Sequence, residues 1–154
     1  MAENSRVDIT LETRLESVDL AEEIATKVAS TAGFDEDERH KIGMAVRESI
    51  INAIQHGNGN DLGKKVRMSL EFDPVRLVIT VADQGPGFRT EDLPDPRAEE
   101  NLLRTSGRGI FIIRAFMDEF RVECGKNGGA KVILVKRHAS ERTGSHEPSR
   151  AKEE

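Results

Sequence analysis

The chain holds a single cysteine, Cys124, so it can form neither an internal disulfide nor a cysteine-based metal cluster. Tryptophan and tyrosine are absent, and six phenylalanines are the whole aromatic complement. Most of these fall in apolar patterns, which leaves little to stack on nucleic-acid bases. Positive charge is not in excess: the formal net charge is −5, so direct nucleic-acid binding has no electrostatic basis. No apolar run approaches the roughly 18 residues needed to span a bilayer, and no membrane role is expected. The opening segment Met1 to Arg6 lacks the basic-then-apolar order of a secretory leader. With one cysteine besides, the expectation is a reducing cytoplasm. What is present, 33% charged and 36% apolar residues over 154 positions, suits one soluble domain with a real hydrophobic core.

Periodicity divides the chain. Val7, Ile9 and Leu11 alternate with polar residues, as in a strand with one buried face. Leu20, Ile24 and Val28 recur at helical spacing, with Ala21, Ala25 and Ala32 alongside and Gly33 as a stop. A second helix starts at Asp35, with Glu38 three residues on as a capping box. It carries the clearest apolar stripe: Ile42, Ala45, Val46, Ser49, Ile50, Ala53 and Ile54. Gly57-Asn58-Gly59-Asn60 ends it. Val66 to Phe72 and Val75 to Val81 alternate around Asp73-Pro74 and read as a hairpin. A loop from Asp83 to about Thr105 is rich in Pro, Gly and charge, a length that is usually functional or mobile. A short apolar helix, Gly109 to Met117, and strands at 118–124 and 130–137 close the pattern. From His138 on, the polar composition reads as a disordered tail, which sets a domain at 5–137 and a tail at 138–154. The order β-α-α-β-β-loop-α-β-β predicts a two-layer α/β sandwich: a mostly antiparallel sheet with helices on one face.

Three polar motifs stand out against this frame. In the first, Glu48 and Asn52 share one helix face four residues apart, at the rim of the apolar stripe. The Asn carbonyl suits a hard cation such as Mg²⁺. The Glu can order a metal-bound water or take a proton from an attacking hydroxyl. In the second, Asp83 follows an apolar strand and can accept a hydrogen bond from an exocyclic amine such as that of adenine. Gly85 and Gly87 then let the backbone approach a ligand closely. In the third, Ser106-Gly107-Arg108-Gly109 opens an apolar helix whose exposed N–H groups and dipole favour phosphate. Thr105 and Ser106 add hydroxyls there, and Arg108 or Arg104 can add charge. Each motif alone is weak, because a solvated helix edge, a plain turn or a loop before a buried helix has the same composition. Other reactive residues have blander readings. His56 reads as a packing or capping histidine, Cys124 as a core thiol beside Phe120 and Val122, and Met68 and Met117 as core.

Together, in this order within one small domain, the motifs resemble the nucleotide site of the GHKL ATPases. Within that superfamily the chain is similar to the bacterial anti-sigma factor/serine-protein kinases of partner switching. Asn52-Ala53-Ile54-Gln55-His56-Gly57-Asn58 and Thr105-Ser106-Gly107-Arg108-Gly109-Ile110 carry that likeness, which spans about residues 5–137. The resemblance implies the Bergerat fold, ATP with Mg²⁺, and roles by position. Glu48 would be the catalytic base and Asn52 the Mg²⁺ ligand. Asp83 would bind adenine, with Gly85 and Gly87 shaping its wall. The stretch from Arg97 to Gly109 would be the lid over the phosphates, with Thr105, Ser106, Gly107, Arg108 and Gly109 at the nucleotide. It also implies phosphoryl transfer to a STAS-domain anti-anti-sigma protein, sequestration of a sigma factor and a homodimer. One departure is visible: related chains often have Gly-Thr before the last strand, and here Gly129 is followed by Ala130. A nucleotide-dependent sequestering module with weak kinase activity is the alternative this raises. A histidine-kinase ATP-binding domain is disfavoured, since no helical hairpin with a phospho-accepting histidine precedes Glu48.

Overall fold

The computed structural model describes residues 4–86, 107–125 and 128–139. In chain order they form β1 (Ser5–Glu12), α1 (Glu16–Thr31), α2 (Glu36–Asn52), a π turn (Ala53–Gly57), β2 (Lys65–Phe72), β3 (Arg76–Ala82), α3 (Gly107–Phe116), β4 (Glu119–Cys124) and β5 (Ala130–Arg137). The strands make a five-stranded sheet in the order β1-β2-β3-β5-β4, and every neighbouring pair is antiparallel. The helices cover one face. Strand alternation supplies the reason: Leu11, Val66, Met68, Leu70, Leu77, Ile79, Val81, Val132 and Leu134 all turn to that side and are buried. Against them α2 and the π turn lay the whole predicted stripe, Ile42, Ala45, Val46, Ser49, Ile50, Ala53 and Ile54, each buried. Burying one such large aliphatic side chain is worth roughly 1.5–3 kcal/mol.

Helix α1 keeps its expected apolar face except at Leu20. Its core face is Val18, Ala21, Ala25, Val28 and Ala29, whereas Leu20 is 49% exposed. Alanines on the inner face let the helix sit close to its neighbours, so the larger Leu20 is left on the outer flank. The helix stops at Gly33, where the Phe34 N–H reaches back to the Ala29 carbonyl at 3.0 Å.

The expected core thiol at Cys124 is corrected: Cys124 is exposed. It does pair with Ala130 in register, but it ends an edge strand, beyond the reach of the helical layer. Phe111 also departs from its apolar pattern and is 71% exposed on α3, while Ile110 and Ile113 anchor that helix in the core. His56 is exposed at the π turn and packs against no core. Met68 and Met117 are buried as expected. His138 stacks on Phe34, ring centroids 4.0 Å apart, so packing continues to the first residue of the expected tail. Residues 140–154 lie outside the described residues.

Candidate functional site

The site gathers where α2 ends. Asp35 caps the start of α2, its carboxylate accepting the Glu38 N–H at 2.9 Å. At the other end the helix widens into the π turn, with the Asn58 N–H bonded to the Ala53 carbonyl at 2.8 Å. Single π turns of this kind recur at functional sites. Asn58 then knots four segments together. Its Nδ2 donates to Thr13 Oγ1 (2.9 Å) and to the Lys65 carbonyl (3.0 Å). Its Oδ1 accepts the Gln84 N–H at 2.7 Å. Thr13 Oγ1 donates onward to the Lys64 carbonyl at 2.6 Å, and Gln84 Oε1 accepts the Lys65 N–H at 2.6 Å. The exit of α2, the end of β1, the start of β2 and the loop after β3 are thereby held in one place. Sequence reasoning assigned Asn58 no role, because an asparagine between two glycines reads as a helix terminator.

Asp83 lies at the centre of that place. β3 pairs with β5, and Ala82 stands opposite Lys131, so the residue after β3 meets the residue that starts β5. The Asp83 N–H donates to the Ala130 carbonyl at 3.0 Å. Asp83 Oδ1 accepts the N–H groups of Gly85 (2.9 Å) and Ala130 (3.1 Å). Ala130 thus supports the aspartate through its backbone. The glycines interlock tightly. A Cβ on Gly57 would lie 2.1 Å from Asp83 Oδ2, and one on Gly85 would lie 1.8 Å from the Gly57 carbonyl oxygen. Only glycine fits at either position. Burial raises the Asp83 pKa above the usual carboxylate range, opposed by the two N–H bonds and by the charge of Lys64.

Asn52, the last residue of α2, is 2% exposed. Neither its Oδ1 nor its Nδ2 has a hydrogen-bond partner among the described residues. A buried amide left unsatisfied costs about 1–3 kcal/mol, so a natural fold retains one where something else supplies the partner. Glu48 stands one turn earlier, half-buried on the adjoining flank of the stripe. A single neutral oxygen ligand is what Mg²⁺ asks of a protein when phosphate oxygens and waters complete its shell. Among the described residues no cluster of three or more His, Cys, Asp or Glu side chains could hold a metal alone. The residues fit a phosphate-borne cation better than a dedicated metal centre.

Helix α3 packs along α2. It begins at Gly107, with Gly109 in its first turn. The structure therefore brings Glu48, Asn52, Asp83 and Gly85 to one end of the helical layer, and puts the start of α3 on a helix that neighbours α2. Gly87, Thr105 and Ser106, and the expected lid as far as residue 106, lie outside the described residues. Arg108 is placed only as a residue of α3.

A family model, the histidine kinase-like ATPase domain, matches residues 11–136. The chain belongs to that family. Among its relatives in this family is the serine-protein kinase RsbW of Bacillus subtilis, 31% identical over 115 residues that cover 71% of each chain. The anti-sigma F factor of Geobacillus stearothermophilus is 34% identical over 111 residues, 70% of this chain and 75% of that one. The anti-sigma F factor of Clostridium acetobutylicum is 34% identical over 108 residues, 67% and 73% of the two chains. The solved structure of the RsbU and RsbW domains of Rv1364c from Mycobacterium tuberculosis superposes with a TM-score of 0.62 at 18% identity. That match covers 86% of this chain and spans 32% of the larger protein; it shows a shared fold. The two-layer sandwich expected from the sequence is thus the fold of this ATPase family.

Proposed function

We propose that the protein is an ATP-dependent serine/threonine-protein kinase that also acts as an anti-sigma factor. It transfers the γ-phosphoryl group of ATP to a serine or threonine of a STAS-domain anti-anti-sigma protein. It sequesters a sigma factor in the partner-switching exchange. The observation that carries this reading is the buried, unpartnered Asn52 amide, one turn past Glu48 and just ahead of the glycine that touches Asp83. Membership of the histidine kinase-like ATPase family and relatives named serine-protein kinase and anti-sigma F factor support it.

In this reading Asp83 accepts the adenine amine, and Gly85 and Gly87 keep the wall behind the base free of side chains. Asn52 Oδ1 holds Mg²⁺, which supplies charge neutralisation on the phosphates. The first turn of α3, Gly107 to Gly109, together with Thr105, Ser106 and the Arg108 cation, receives the phosphate oxygens. Glu48 takes the proton from the attacking hydroxyl as the new P–O bond forms and ADP leaves with the old bonding pair. The protein works as a homodimer in the cytoplasm. No helix among the described residues is long and apolar enough to cross a membrane.

The test is Glu48→Gln. Phosphate transfer to a STAS-domain substrate should fall at least about 100-fold, while Mg-ATP binding by calorimetry stays near wild type. Asn52→Ala should lose Mg-dependent ATP binding. If Asn52→Ala bound Mg-ATP normally, the site assignment would be wrong. One observation favours the second reading, a sequestering module with weak transfer: Ala130 offers Asp83 only a backbone N–H where relatives often offer a hydroxyl. Unchanged sigma-factor release in cells carrying Glu48→Gln would select that reading.

A further inference from the structure

One buried cation takes no part in the site as built so far. Lys136 lies on the helix-facing side of β5, in the alternation of Val132 and Leu134, and is 5% exposed. Its Nζ donates to the carbonyl of Phe116, the last residue of α3, at 2.5 Å. It also stands 3.3 Å from Glu38 Oε1 in the first turn of α2, where Lys41 approaches the same carboxylate at 3.9 Å. The next residue of β5 holds the same corner: the Arg137 N–H reaches Asp118 Oδ2 at 2.6 Å, and the Arg137 guanidinium pairs with Glu119. The Asp118 N–H closes back on the Val135 carbonyl at 2.8 Å.

A leucine or methionine would fill this position without the cost of burying a charge. What the lysine adds is direction. A cation at the C-terminal end of α3 meets the negative end of its dipole, and Glu38 fixes where that cation sits relative to α2. Helix α3 spans Gly107–Phe116 and is about 15 Å long at 1.5 Å per residue. Holding its last carbonyl against β5 and α2 therefore sets where its first turn points.

We infer that Lys136, bridging the α3 C-terminus and Glu38, is a positioning residue for the phosphate end of the nucleotide site at the opposite end of α3. This rests on the functional reading above, in which the first turn of α3 receives phosphate. The adenine end does not depend on it, because Asp83 is held by backbone bonds to Gly85 and Ala130, neither of which belongs to α3.

The experiment compares Mg-ATP and adenosine binding in wild type, Lys136→Met and Lys136→Arg, with far-UV circular dichroism and thermal unfolding on each. Lys136→Met should lose about tenfold or more in Mg-ATP affinity, the scale of a small misplacement at a preorganised site, with adenosine affinity unchanged. Lys136→Arg, which keeps the charge, should recover Mg-ATP binding to within about threefold. Equal losses for Mg-ATP and adenosine, or no loss for either, overturn the inference. If Lys136→Met does not fold, Glu38→Gln decides: it keeps the lysine and its bond to Phe116 while removing the carboxylate. Selective loss of Mg-ATP affinity in Glu38→Gln supports the inference, and wild-type affinity overturns it. A wild-type protein that binds neither adenosine nor Mg-ATP brings down the nucleotide reading itself; wild-type binding matched by Lys136→Met brings down this inference alone.

Discussion

Two aspartates bracket β3, and they look alike until their surroundings are compared. Asp73 precedes the strand in the hairpin turn, and its Oδ1 accepts the N–H groups of Val75 (2.8 Å) and Arg76 (3.0 Å). Asp83 follows the strand, and its Oδ1 likewise accepts two N–H groups, at 2.9 and 3.1 Å. The hydrogen bonding is the same in kind. Yet the Asp73 pKa is lowered, first by its bonds to Arg76 and Val75, whereas the Asp83 pKa is raised, first by burial. Two backbone donors win at the water-facing turn and lose among packed backbone. A carboxylate kept short of water gains from any further donor, and in the proposed reading an adenine amine would be one. Asp73 is complete as it stands.

Variants can break this contrast, and the largest effect is expected from Gly85→Ala. Its new Cβ has no room beside the Gly57 carbonyl oxygen, so the backbone around Asp83 must shift. Stability measured by urea unfolding should drop by about 2–3 kcal/mol, with ATP binding lost. A drop under about 0.5 kcal/mol, the range of ordinary surface substitutions, would mean that the pocket wall is soft.

Asp83→Asn comes next and separates binding from folding. ATP affinity should fall about 10- to 100-fold, the worth of a hydrogen bond to a charged group. Stability should not fall with it. Because the folded-state pKa is raised, the stability linked to the protonated acid is fully present below the ordinary value of about 3.9 and is lost as pH rises through the folded pKa. The neutral asparagine should therefore melt at or above wild type at pH 7, and that advantage should shrink as the pH is lowered toward 4. A variant that melts lower than wild type at pH 7 would show that burial does not dominate at this carboxylate.

The smallest effect belongs to Asp73→Ala, about 1 kcal/mol from lost turn hydrogen bonds, with ATP affinity unchanged in calorimetry. Its sign with pH is opposite. A lowered pKa gives stability that is present above about 3.9 and is lost as pH falls through the folded value, so wild type and variant should converge in acid. An altered ATP affinity would tie the hairpin turn to the site and erase the difference between the two aspartates.

How much of this could be read before folding depended on the range of the signal. The stripe from Ile42 to Ile54 and the alternation in β2 and β3 are local and came through, because helix and strand periods are set by neighbours along the chain. The positions of Asn52 and Asp83 were legible for the same reason: one lies a turn after Glu48 on a periodic helix, the other directly after a periodic strand. Which of the two aspartates is the more desolvated was not legible, since the packing around Asp83 arises from the β3–β5 pairing. In α1 only Leu20 departs from the apolar pattern, because close packing prefers Ala21 and Ala25 inside and leaves the larger side chain on the flank. Lys136 stayed hidden at a core-facing register position near a strand end, where a cation is ordinarily solvent-facing. Asn58 hid in a composition shared by every loop.

The crossing that joins β3 to β5 also sets when the site can exist. Asp83 and Ala130 touch across 47 residues of chain. Pairings that distant form late compared with hairpins and helices, although closing so long a loop adds only modestly to the entropy cost. A nascent chain that has emerged through β3 already contains Glu48, Asn52 and Asp83, and can already build α2 and the β2–β3 hairpin. Asp83 lacks its second N–H donor until β5 arrives to supply that of Ala130. If the site takes a nucleotide as proposed, nucleotide competence and completion of the sheet are a single event in the life of each molecule, and a truncated product that stops short of residue 130 carries the named side chains without the β5 support of Asp83.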